Sequence, residues 1–143
     1  MEFNMLATGI ELLGTTIKMI NIDNSIVDVE REANRSFGLN INEPKIEKDE
    51  DGFFAQMTID FEVEIEQSQN QRCKIELSLE GAFLSNGKID EEAFNQLVCV
   101  NGASAIIGIA RGKIESITGN VFNNGKVVIP FVNVIDYYKS MVE

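Results

Sequence analysis

Two neighbouring segments of this chain place carboxylates at every second residue. Residues 57–66 alternate apolar side chains with polar ones, and residues 73–80 repeat the pattern. Carboxylates can act as general acids and bases, bind metals or hold a basic partner. Alternate residues on one face of a strand lie about 7 Å apart, which is too open for a metal cage or a catalytic pair. The pattern predicts an acidic sheet face, either solvated or partner-binding, formed by Asp60, Glu62, Glu64, Glu66, Glu76 and Glu80.

Residue types that commonly perform catalysis are missing from this chain. There is no histidine, which removes the commonest general base and the commonest metal ligand. The sequence also lacks a P-loop and a G-x-G-x-x-G motif. We therefore predict a protein that is not an enzyme and uses no metal or cofactor. A carboxylate-based enzyme is the alternative that this composition leaves open.

The composition is that of a globular domain with an acidic balance. Its 143 residues favour a single domain, and 44% apolar against 24% charged residues is ordinary for a soluble chain. The 12 basic and 23 acidic residues give a net charge of −11, which argues against nucleic-acid binding. Residues 1–13 lack a secretion-signal pattern and we find no apolar run of membrane length, so we expect a cytoplasmic protein. Cys73 and Cys99 occupy apolar positions and are predicted to be buried free thiols.

Hydrophobic periodicity predicts strands first and helices afterwards. Strands are expected at about residues 12–22, 25–30, 53–66 and 72–84, the last two joined as an antiparallel hairpin. The segment between residues 30 and 51 is polar and is broken by Pro44, so it is predicted to be a loop that connects two strands.

Helical signals begin at Asp90, a favourable N-cap residue followed by two glutamates. The pair Asn101-Gly102 is expected to interrupt that first helix, and a longer helix should cover residues 103–118. After an extended stretch, Asn133 can cap a last helix over residues 134–142. The fold class is therefore α+β: one domain with a four-stranded antiparallel sheet, a long helix and a short C-terminal helix.

Three small residues, Ser104, Gly108 and Gly112, recur every fourth position of the long helix. Glycine within a helix is unfavourable by about 1 kcal/mol relative to alanine, so such a stripe implies the close approach of another backbone. The approaching element is either the sheet of the same subunit or a helix of a second subunit. We favour the second interpretation because the apolar side of the helix already serves the sheet.

Aromatic residues gather near the end of the hairpin and around the last helix. Most are expected in the core, and some could line an exposed apolar groove, which on a soluble protein marks a binding site. The candidates are Phe83, Phe122, Phe131, Tyr137 and Tyr138.

The second half of the chain resembles the SecB export chaperone family. The similarity lies in Gly81-Ala82-Phe83 at the end of the hairpin, Ala110-Arg111 in the long helix, and Ile129-Pro130-Phe131-Val132-Asn133 followed by Tyr137 and Tyr138. The resemblance implies a homotetramer, a dimer of dimers, with sheets outside and long helices packed between subunits. It further implies that the acidic sheet face contacts the SecA motor and that apolar grooves hold unfolded preproteins.

The sequence thus favours an ATP-independent holdase chaperone for protein export. Three alternatives are open: a chaperone of a toxin–antitoxin system, a non-chaperone adaptor that binds one basic partner, and a small hot-dog-type thioesterase. The long helix comes early in the hot-dog fold but follows the hairpin here, which argues against the thioesterase.

Overall fold

Period-two apolar patterns produce a five-stranded antiparallel sheet. The computed structural model describes residues 9–142, so part of the segment searched for a secretion signal, residues 1–8, lies outside the described residues. The strands are β1 (Ile10–Asn24), β2 (Asn34–Ile41), β3 (Lys45–Asp49), β4 (Gly52–Gln67) and β5 (Gln71–Ser85). Their order is β1-β5-β4-β2, and β3 pairs with β4 beyond the end of β2. One edge of the sheet is therefore β1, and the other is β2 continued by β3.

The predicted hairpin is formed by β4 and β5. Met57 lies opposite Gly81 and Ile65 opposite Cys73, so the apolar positions of both strands share one face. Gln69 and Asn70 turn the chain with positive φ angles of 62° and 58°. This hairpin, with the helices on its apolar face, confirms the α+β fold class, although the sheet has five strands where four were predicted.

Two strand predictions in the first half were wrong. Residues 25–30 form no strand: the side chain of Asn24 accepts a hydrogen bond from the Ile26 N–H (2.9 Å) and turns the chain locally. The connection predicted between residues 30 and 51 instead contains β2 and β3. In β2, Phe37, Leu39 and Ile41 alternate with small or polar residues, a short pattern that the surrounding charged residues obscured.

The helical signals produce one nearly continuous helical run. Asp90 caps α1 (Glu91–Leu97) by accepting a hydrogen bond from the Ala93 N–H at 2.8 Å, as predicted. The pair Asn101-Gly102 does not interrupt the run but lies in a π-helical turn, Val98–Gly102, which leads directly into α2 (Ala103–Val121). Gly102 has a packing reason: a Cβ there would lie 2.9 Å from the ring of Phe83.

The helical run covers the apolar face of the sheet. The buried residues of α2 include Ala103, Ile106, Ala110 and Ile114. Gly81 of β5 lets Ile106 approach closely, because a Cβ at this position would lie 2.7 Å from the Ile106 side chain. These contacts place the hydrophobic core between α2 and the β4–β5 hairpin.

The helical run Glu91–Val121 is also long and apolar enough to cross a membrane, with a window of mean hydropathy 1.5. The prediction that no apolar run reaches that length was therefore wrong. Since the buried side chains of α2 contact the sheet, we interpret the run as a core helix. However, only 39% of this apolar window is buried by residues 9–142, so the described part of the chain leaves much of an apolar helix uncovered.

A non-helical strap, residues 122–133, joins α2 to α3 (Val134–Val142). Thr118 is fully buried, and its Oγ accepts a hydrogen bond from the Val127 N–H at 2.8 Å. At the end of the strap the Asn133 side chain accepts a hydrogen bond from the Asp136 N–H (3.1 Å), as predicted for a helix cap. The strap is thus bonded to the end of α2, and α3, which follows the strap, lies at the edge formed by β2.

Candidate functional site

The acidic residues of β4 and β5 share the outer face of the sheet, opposite the helices. Glu62 lies directly opposite Glu76, a repulsive cross-strand pair. Lys74 relieves the repulsion: its Nζ lies 3.5 Å from Glu62, 3.4 Å from Glu76 and 4.0 Å from Glu64. These contacts raise the pKa of Lys74, chiefly through the charge of Glu62. The face is thus an acidic surface with Lys74 among its carboxylates and Arg72 opposite Glu66, and the sequence analysis did not single out these two cations.

Asp60 is held more firmly than the other carboxylates of this face. Ser78 donates a hydrogen bond to it at 2.5 Å and Asn42 donates another at 3.0 Å. Partial burial raises the pKa of Asp60, but the hydrogen bonds from Ser78, Asn42 and Asn40 outweigh burial, and its pKa lies below the ordinary value. Asp60 therefore helps to hold the residues that follow β2 against β4. Among residues 9–142 no group of three or more acidic or cysteine side chains is arranged to hold a metal ion.

An apolar groove runs between β2 and the strap. It encloses about 160 Å³, with Phe37 and Leu39 of β2 and Phe61 of β4 on one side. Ile129, Pro130 and Val132 of the strap form the other side. Phe37 remains 38% exposed, so an apolar surface is available to a partner along this groove.

The groove lies beside an open strand edge. No strand among residues 9–142 pairs with β2 on the side away from β4. In an antiparallel strand, successive residues direct their backbone groups alternately toward and away from the neighbour. Asn42 donates its N–H to Thr58 of β4, whereas Ile41 donates its N–H outward, to the hydroxyl of Tyr137. By this alternation Leu39 and Phe37 also direct their N–H and C=O groups outward.

Arg111 of α2 holds the strap side of the groove. Its Nε donates a hydrogen bond to the carbonyl oxygen of Ile129 at 2.8 Å. Its guanidinium group lies 3.9 Å from the centroid of the Phe131 ring, within cation–π range. Phe131 is 91% exposed and is not part of the groove lining, although its chain neighbours Pro130 and Val132 are.

The five predicted aromatic residues do not form one surface. Phe83 and Phe122 are 1% and 5% exposed and belong to the hydrophobic core, so we do not include them in the groove. The ring of Phe131 contacts Arg111 and does not line the groove. Tyr137 and Tyr138 also lie outside the groove lining; they are half-buried on α3 with their rings in edge contact, 5.4 Å apart. Burial raises the pKa of Tyr138 far above its ordinary value, and the neighbouring Cys99 adds to the effect.

The small-residue stripe of α2 points away from the sheet. Among residues 9–142, a Cβ added at Gly108 or at Gly112 would meet no heavy atom within 4 Å, and Ser104 is exposed. The sheet of the same subunit therefore does not explain these glycines. The close packing of the helical run on the sheet instead requires Gly81 and Gly102.

The cysteines have the predicted free thiols, with one difference in burial. Cys73 is buried on the inner face of β5, whereas Cys99 is half-buried in the π-helical turn. Burial raises the pKa of both thiols above the ordinary value. Neither thiol is thereby activated as a nucleophile.

Comparison with known proteins shows the fold of this chain but assigns it to no family. No family model matches the chain, and no curated protein matches it in sequence. Among solved structures it is similar to a SecB-like chaperone from Mycobacterium tuberculosis, which was solved with a peptide from the HigA1 antitoxin. The TM-score is 0.60 at 11% identity, over 90% of this chain and 94% of that one. The chain therefore has a SecB-like fold.

Proposed function

We propose that this protein is an ATP-independent holdase that binds extended segments of unfolded polypeptides at the open edge of β2. The observation that carries the proposal is the open edge itself, with an apolar groove directly beside it. A partner strand could donate and accept backbone hydrogen bonds with Phe37 and Leu39. Backbone pairing of this kind supplies affinity without selecting a sequence, which suits a protein with many clients.

The two faces of β2 would select the side chains of such a client. Alternate residues of an added strand point to opposite faces of the sheet. On the helix side they would enter the groove of Ile129 and Val132, which favours apolar residues. On the outer side they would lie near a depression of about 370 Å³ that includes Gly38, Asp60 and Glu62. That side favours lysine and arginine, so the proposed client segment alternates apolar with basic residues.

Binding of this kind lowers the free concentration of aggregation-prone chains by mass action. It makes and breaks no covalent bond and needs no nucleotide, metal or cofactor. The SecB-like fold supports the proposal, since the similar Mycobacterium protein is a chaperone solved with a bound peptide. We place this activity in the cytoplasm, as expected from the sequence.

Two client classes are compatible with this proposal. The family resemblance suggests preproteins handed to the SecA motor, with the acidic outer face as the docking surface. The peptide bound by the similar Mycobacterium protein suggests the second class, a segment of an antitoxin. Binding of purified SecA to the wild-type protein, and its loss when Glu62 and Glu64 are replaced by glutamine, would favour export. Selective protection of a co-expressed antitoxin would favour the other class.

We further propose that the subunits associate through the outward face of α2. The described residues bury only 39% of the apolar window of the helical run, and its small residues leave room for a second backbone. The opposite edge of the sheet is a second candidate for association. There β1 exposes five large apolar side chains: Leu12, Leu13, Ile17, Met19 and Ile20. These two uncovered surfaces support the predicted dimer of dimers.

A matched pair of strap variants tests the groove. Val132 lines the groove, whereas Val128 lies on the same strap, is 53% exposed and is outside the groove. We expect Val132→Asp to weaken the binding of a fluorescent, carboxymethylated unfolded protein at least tenfold, because a carboxylate would be desolvated against the client. Val128→Asp should leave the affinity within about twofold of the wild type. Equal affinity of both variants and the wild type would exclude this groove as the binding site.

A further inference from the structure

The open edge of β2 ends at a contact with the C-terminal helix. The backbone N–H of Ile41 donates a hydrogen bond to the hydroxyl oxygen of Tyr137, at 3.0 Å and 96 residues away in sequence. This N–H is the next outward donor after those of Phe37 and Leu39. A side chain therefore occupies the position that a partner strand would take if it continued along the edge.

Several contacts set the position of the Tyr137 hydroxyl. The Asn133 side chain caps α3, and the Tyr137 N–H bonds to the Asn133 carbonyl at 3.0 Å. Val134, the first residue of α3, is buried, with 4% of its surface exposed. The ring of Tyr138 packs against that of Tyr137 with an interplanar angle of 80°. The cap, the buried Val134 and the Tyr138 ring thus fix the helix that carries the Tyr137 hydroxyl.

We propose that Tyr137 is the edge cap that sets how far a client strand can pair along β2. This inference rests on the proposed function. A client that reaches Ile41 must break the Ile41–Tyr137 hydrogen bond in order to form its own, so the exchange adds almost nothing to its affinity. Pairing therefore stops after Leu39. The same cap keeps a partner strand from continuing onto β3, and such protection of an open edge limits strand-by-strand aggregation.

The test compares Tyr137→Phe with Tyr138→Phe, since both remove one hydroxyl from the same helix and only the first removes the cap. The probes are two fluorescent peptides of alternating valine and lysine, of seven and eleven residues. We expect the longer peptide to bind Tyr137→Phe about fivefold more tightly than it binds the wild type, which corresponds to one net hydrogen bond. The shorter peptide should bind both proteins equally, and Tyr138→Phe should behave as the wild type with both peptides.

Hydrogen exchange of the Ile41 amide gives a second readout that does not depend on a client. Exchange should be faster in Tyr137→Phe than in the wild type and unchanged in Tyr138→Phe. Equal exchange in all three proteins, or equal affinity of the longer peptide for Tyr137→Phe and the wild type, would overturn the edge-cap role. If neither peptide bound the wild type while the exchange difference persisted, the proposed function would fail and the contact between Tyr137 and the edge would stand.

Discussion

Replacing both Gly108 and Gly112 of α2 by alanine should stabilise an isolated subunit but weaken the association of subunits in the proposed assembly. In the part of the chain that the structure describes, no heavy atom lies within 4 Å of either added Cβ, so an isolated subunit would accept both methyl groups. Each exchange would then stabilise the helix by about 1 kcal/mol. Two exchanges would raise the melting temperature by roughly 8 °C, since about 1 kcal/mol corresponds to some 4 °C in a domain of this size.

The proposed assembly predicts the reverse for association. In a symmetric pair of helices the two exchanges add four methyl groups to one interface. At about 1 kcal/mol of overpacking each, they destabilise the interface by about 4 kcal/mol and weaken association on the order of a thousandfold. Size-exclusion chromatography with light scattering, over a dilution series, measures this change. Ser104→Ala keeps the stripe small and serves as the control that retains the wild-type mass.

The reasoning about α2 would be refuted if the Gly108 and Gly112 double variant kept the mass of the wild type while its melting temperature rose. A monomeric wild type would refute it as well, because the uncovered face of α2 would then have no partner. A smaller species with intact helical circular dichroism is the result that supports the assembly.

Three further predictions concern the sheet. Phe37→Pro removes an outward N–H and leaves the hydrogen bonds between β2 and β4 intact. Fluorescence anisotropy should therefore show that this variant binds an unfolded client about fivefold more weakly than Phe37→Ala does. Equal affinities of the two variants would argue against backbone pairing. Ser78→Ala should raise the pKa of Asp60 toward its ordinary value, because a hydrogen bond to the carboxylate is lost, and carboxyl NMR titration measures this change. Because the folded-state pKa of Asp60 is depressed, its contribution to stability is present above the unfolded-state pKa and lost as the pH falls through the folded value, and the variant should lose that contribution. Replacing Glu62 and Glu64 by glutamine should leave most client binding intact for a holdase, whereas loss of binding would indicate an adaptor.

Glutamine is a better replacement than lysine at these two positions. Lys74 lies within 4.0 Å of both carboxylates, so charge reversal would bring three cations together. Neutralisation removes the acidic surface without that repulsion. It therefore separates the loss of a docking charge from the loss of local structure.

The long alternating strands and the capped helices were predictable from the sequence. β4 and β5 alternate over many residues, and Asp90 and Asn133 are followed by residues suited to a first helical turn. The alternation of a long strand sets which of its faces is buried, and a cap residue acts on the helical turn that directly follows it. Both kinds of signal can therefore be recognised within one short segment of sequence. Acidic residues on the outer face follow from the same alternation.

An apolar groove was expected, but its lining residues were not identified because its two sides come from distant parts of the chain. Phe37 and Leu39 stand in a short strand among polar residues, and the alternation of residues 35–41 was the signal that could have revealed it. The aromatic prediction selected Phe83 and Phe122 by type, yet tertiary packing buries both. Lys74 was overlooked because its role depends on cross-strand register with Glu62 and Glu64.

The central proposal is tested most directly by the aggregation of a chemically denatured client diluted into buffer with and without this protein. Light scattering should fall as the protein is added, without nucleotide, and Val132→Asp should suppress scattering much less than Val128→Asp does. Scattering that is unchanged at a several-fold excess of the wild-type protein would contradict the account.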